Sequence, residues 1–186
     1  MKRILLCILA LILLCATAPN LQSQQSKEQA SDTATPSMPS REEVDDLLNK
    51  ASEYIATYQT TFKNAKPTLD KAPTPGFLEK STELCSQANT IIAAIKKNGM
   101  TAYALVALVG VLDDMSLNAA RASAVSVVVG LQGGAADPTH RAAQDMQDFA
   151  QVEKNCFDIS ELILHSALRL IAVEEAILRS ATDEKK

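Results

Sequence analysis

Residues 149–177, FAQVEKNCFDISELILHSALRLIAVEEAI, decide the fold. Phe149, Val152, Cys156, Ile159, Ile163, Ser166, Leu170, Val173 and Ile177 recur at alternating steps of three and four, the spacing of one face of a long amphipathic helix. Charged and amide side chains occupy much of the remainder. Asp137 as N-cap with Pro138 in the first turn sets the start of this helix, and the pattern carries it to about Ala181.

Such a seam needs partners, and three further helical stretches precede it. Ser40-Arg41-Glu42-Glu43 reads as a capping box, after which Val44, Leu48, Ala51, Ile55, Tyr58, Phe62 and Ala65 line one face until Pro67. A Pro-stiffened connection, PTLDKAPTPG at 67–76, follows, with Thr74 as cap and Pro75 in the first turn of the second helix. Its seam is Phe77, Ser81, Leu84, Ala88, Ile91 and Ile95, and Lys96-Lys97-Asn98-Gly99 closes it with cations at the negative end of the dipole and a glycine free to turn left-handed. The third helix runs from about Thr101 to Gly130 on Leu105, Leu108, Leu112, Met115, Ala119, Ala122, Ser126 and Val129, and Gln132-Gly133-Gly134 breaks it. No stretch alternates with the period of two that a half-buried strand requires. The expected fold is all-α: an antiparallel up-down-up-down four-helix bundle over 40–182 with a long fourth helix and a charged tail at 183–186.

Composition agrees. Of 186 residues 28 are alanine, 47% are hydrophobic and only 4% aromatic, and the formal charge of −4 leaves no basic footprint for nucleic acid. Lys2 and Arg3 ahead of the apolar run Ile4–Ala16 have the layout of an export signal, with cleavage expected after Ala18. Residues 19–39, rich in Ser, Gln, Thr and Pro, read as a disordered spacer. The protein is therefore expected to be periplasmic or secreted, with no transmembrane helix once the signal is removed, because Asp113 and Asp114 interrupt the third helix.

With a rise of about 1.5 Å per residue, Cys85 and Cys156 lie about 15 and 18 Å down the bundle. They are level, so they read either as a disulfide, which an exported chain can keep, or as two buried thiols on diagonal helices. Asp113 and Asp114 point about 130° from the third seam, and with Asn118 and Arg121 they read as a solvated face rather than as paired catalytic carboxylates. Glu161 and His165 lack the further ligands of a metal-binding bundle, and His140 is expected to be solvated. No metal, cofactor, phosphate loop, nucleophile elbow or haem attachment motif is expected.

One feature resists burial. Tyr103, Val106 and Gly110 face away from the third seam, as do Leu164, Leu168 and Ala172 from the fourth, at a common height. Beyond them the fourth helix runs on for about 19 Å, carrying Leu170, Ile171, Val173, Ile177 and Leu178 with no partner in its own bundle. A patch of this kind marks an interface or a groove. The expected function is that of an exported, non-enzymatic module that binds another envelope protein or itself as a homodimer. The alternative is a carrier holding an apolar small molecule in the core or patch.

Overall fold

A computed structural model describes residues 37–133 and 141–183. The signal segment, the spacer up to residue 36, the Asp137-Pro138 cap, His140 and residues 184–186 lie outside the described residues. Those described are all-α, with α1 at Arg41–Asn64, a single turn α2 at Lys66–Leu69, α3 at Phe77–Asn98, α4 at Ala102–Gly133 and α5 at Arg141–Asp183.

α1 starts where its cap demands: the Ser40 hydroxyl accepts the Glu43 amide at 3.0 Å. The reciprocal arm of the capping box is absent, because the Glu43 carboxylate accepts from Arg169 of α5 at 2.6 Å. A tertiary ion pair has displaced the local bond. Pro67 does not simply stop the helix. It occupies the first turn of α2, a position where its missing N–H goes unused, and α2 delivers Thr68 and Leu69 to the interior.

α3 begins at Phe77, later than the Thr74-Pro75 cap implied. Gly76 caps it with φ +103°, and this left-handed residue turns the chain into the helix without a side-chain bond. Its buried face is Ser81, Leu84, Cys85, Ala88, Ile92 and Ile95. Phe77 and Ile91 are half-buried, so the face is rotated slightly toward Cys85 and Ile92 relative to the expected seam. Gly99 closes α3 at φ +93° and ψ 166°, a positive-φ conformation that suits glycine but is extended rather than the left-handed helical turn expected. The Thr101 hydroxyl then accepts the Ala104 amide at 3.1 Å at the start of α4, and the eight seam residues of α4 are all buried.

The helices pack as a bundle in which α1 touches α3 and α5, and α4 touches α3 and α5; the α4–α5 contact is the most extensive. Across the two diagonals, α1 to α4 and α3 to α5, no Cα atoms come within 8 Å. The α4–α5 pair is antiparallel. Ser160 donates to Asp113 Oδ1 at 2.7 Å, and Ser123 donates to the Met146 carbonyl at 3.2 Å. Close approach is possible because small residues line the contact: a Cβ on Gly130 would sit 3.4 Å from that of Ala142. Tyr58, Phe62 and Phe149 stack in the interior with centroids 4.6 and 4.8 Å apart, joining α1 to α5. At the same end the buried Thr68 hydroxyl bonds the buried Asp145 carboxylate, and Arg141 donates to the Asn64 carbonyl.

The α5 seam is buried from Phe149 to Leu170. There the cover ends: Val173 is half-buried and Ile177 is 62% exposed. The last residues of α5 project as an overhang.

Candidate interaction surface

The interior holds the reactive groups, and it holds them inert. Cys85 and Cys156 are buried free thiols. Their placement on diagonal helices keeps their Cα atoms more than 8 Å apart, beyond the span of a disulfide of about 4.4 to 6.8 Å. The bridge considered from their common level is not formed, because level says nothing of lateral distance. Burial pushes the Cys85 thiol up to about 11, and burial followed by the nearby Cys85 pushes Cys156 up to about 12. Neither is a nucleophile near neutral pH. Both thiols interact electrostatically with the Tyr58 hydroxyl, also raised by burial, which accepts a 2.9 Å hydrogen bond from Asn118 Nδ2.

Asn118 departs from the expected solvated cluster. It is buried and ties α4 to α1 across the diagonal, whereas Asp113, Asp114 and Arg121 are exposed. Glu161 and His165 are exposed on α5. Among the described residues no three His, Cys, Asp or Glu side chains gather as a metal site would require.

The outer face of the α4–α5 pair is different in character. Tyr103 is 86% exposed, and Val106, Gly110, Leu164 and Leu168 are exposed with it. The register set by Ser160 with Asp113 and by Ala142 with Gly130 places Leu168 between the levels of Tyr103 and Val106, and Leu164 between Val106 and Gly110. These five expected residues are therefore exposed at common levels along the α4–α5 pair. Ala172 is half-buried and stands apart from them, and Ile177 continues the core seam instead.

Exposed apolar residues outside the expected patch include Leu117, Phe157 and Leu162; Ile171, expected to lack a partner, is exposed, whereas Leu170, expected likewise, is buried. The signal for Leu117 and Phe157 is legible in retrospect. Phe157, Leu164, Ile171 and Leu178 recur every seven residues, and with Glu161, Leu168 and Glu175 they form a second stripe of alternating fours and threes. α4 carries the matching row Tyr103, Val106, Gly110, Asp113 and Leu117. Each helix thus carries two rows, one buried within the bundle and one exposed outside it.

α4 over 102–132 is also long and apolar enough to cross a membrane by length and composition, with half of its most apolar window buried against the other helices. A separate recess lies between the start of α1 and the end of α3, lined by Met38, Val44, Ile95 and Met100 with Arg41, Asp45 and Lys96 beside them.

No protein-family model, curated protein or solved structure matches the chain.

Proposed function

We propose that this protein is an exported, non-enzymatic interaction module: an up-down-up-down four-helix bundle, released from an N-terminal signal and carried on a polar spacer, that works by presenting the outer face of α4 and α5 to a protein partner. The observation that carries the reading is the second apolar stripe of α5, exposed from Phe157 to Leu178 and flanked by exposed apolar residues of α4. Contiguous apolar surface of this extent is uncommon on proteins that work alone. The buried, protonated thiols, the exposed Asp113, Asp114 and Glu161, and the engagement of the buried Asp145 carboxylate by Thr68 support a role without chemistry.

Site-specific photo-crosslinking in a host that exports the protein tests it. A photoreactive amino acid in place of Leu164 is expected to give a protein adduct, while the same group in place of Glu53, exposed on α1, gives none. Equal or absent labelling at the two sites overturns the reading. The intact mass of the exported chain tests removal of the signal, expected after Ala18.

A second reading, a carrier of an apolar small molecule, is supported by the recess at Met38, Val44, Ile95 and Met100. It expects stoichiometric binding of an apolar fluorophore that Met100→Glu abolishes; binding unchanged by that substitution counts against the recess.

A further inference from the structure

We propose that the occupant of the α4–α5 face is a second copy of this chain, docked about a two-fold axis near Leu168 so that each overhang lies antiparallel in the other copy's α4–α5 groove. This rests on the interaction reading above and names its partner.

Continuity is the first argument. The α5 core seam keeps its spacing past Leu170, where intramolecular cover ends, through Val173 and Ile177. The outer stripe keeps its spacing across the same boundary, from Leu164 and Leu168 to Ile171 and Leu178, with Glu175 between the last two. The overhang is therefore patterned as packing helix although its own bundle offers it nothing to pack on.

Length and shape give the orientation. The stripe from Phe157 to Leu178 spans about 31 Å, and its midpoint falls beside Leu168. Two stripes laid antiparallel overlap completely, with Ile171 opposite Leu164 and Leu178 opposite Phe157. The overhang then lies at the α4 level of Gly110 to about Met115. A side chain added at Gly110 would meet nothing within 4 Å, so a neighbouring helix can approach the backbone there. An isologous contact of this kind closes as a dimer and does not polymerise.

Antiparallel docking brings Glu175 to the level of Ser160 and Asp113 on the other copy, and Arg179, bonded to Glu175 at 3.2 Å, about one turn beyond it near Leu117, whereas a parallel pair would set Arg179 against Arg179. The exposed area of Tyr103, Val106, Leu117, Phe157, Leu168 and Leu178 is several hundred Å², comparable with the roughly 800 Å² per partner of a standard interface. The spacer from 19 to 36 offers Leu21 as its one large aliphatic residue and so lacks the side chains to cover the face. Asp113, Asp114, Glu161 and Glu175 oppose an anionic lipid surface.

Cysteine crosslinking of the exported protein tests the geometry, since both native thiols are buried. Oxidised Leu168→Cys is expected to give a disulfide-linked dimer. Phe157→Cys and Leu178→Cys are expected to give none separately and a crosslinked pair when mixed. Sedimentation of the unmodified protein should show a dimer, and Leu168→Glu, at an exposed site that leaves helix content unchanged, should weaken it on the order of tenfold or more. A wild-type monomer at high micromolar concentration overturns the proposal, as does self-crosslinking at 157 or 178, which reports parallel pairing. If the monomer still yields a Leu164 photo-adduct with a different protein, self-pairing fails and the interaction reading stands; if no adduct forms, both fail.

Discussion

Asn118 shows how a single polar side chain can constrain a bundle core. Its amide donates to a Tyr58 hydroxyl that is sealed from water, so the bond discriminates against any shift of α4 relative to α1 that an apolar contact would tolerate. Asn118→Leu leaves the hydroxyl without its partner and is expected to destabilise the protein by about 1–3 kcal/mol in urea unfolding, while Tyr58→Phe in that background recovers part of the loss. Additive effects in the double-mutant cycle would contradict the coupling. The same layer carries an alkaline signature. Folded Cys85 and Cys156 keep their protons up to about 11 and 12, against 9.0 for the free thiol, so above that value the unfolded chain binds fewer protons than the folded one. Stability from the two thiols is intact below pH 9 and falls as pH rises through the folded values, by about 1.4 kcal/mol per pH unit for each in the window. Cys156→Ala should flatten that slope in denaturation measured from pH 8 to 11. The wheel placed Asn118 outside because its angle from a seam of small residues is ambiguous; the partner that pulls it inward belongs to another helix.

At the level of elements, periodicity and punctuation located the helices because both depend on neighbours in sequence. Leu105 to Val129 all face inward as their spacing implies, and Gly99 ends α3 in the conformation that only glycine adopts cheaply. Since a Cβ at Gly99 would meet no atom within 4 Å, Gly99→Ala isolates the backbone penalty, expected at about 1–2 kcal/mol in thermal or chemical unfolding. A loss much smaller than this would mean that the turn relaxes. The start of α3 was misplaced for a physical reason: Thr74 and Pro75 are good helix starters, but Gly76 at φ +103° sets the entry angle and leaves them outside. Likewise Glu43 had a local partner available and took Arg169 instead, 126 residues away.

For the molecule as a whole, seams reveal that helices pack but not which helix flanks which. Cys85 and Cys156 matched in height and still sit on a diagonal, because height comes from one chain while lateral distance comes from the arrangement of all of them. The outer face is only half legible in the sequence: Tyr103, Val106, Leu164, Leu168 and Ile171 stand out as surplus, whereas Leu117 and Phe157 read as ordinary apolar residues until the position of α4 is known. Because intramolecular burial stops at Leu170, ending the chain after Ala172 should change the monomer's unfolding free energy by no more than about 1 kcal/mol, the range of exposed sites, while abolishing pairing. Large destabilisation on that truncation would show that the overhang serves its own bundle.

The contact of α1 with α5 also has a kinetic meaning. α4 and α5 are adjacent in sequence and share the most extensive contact, so they can meet through a short loop, whereas the Glu43–Arg169 pair closes one of 126 residues. In a chain synthesised from its N-terminus, α1 can meet α3 early, but the half of its apolar face that packs on α5 waits until nearly all the rest has emerged.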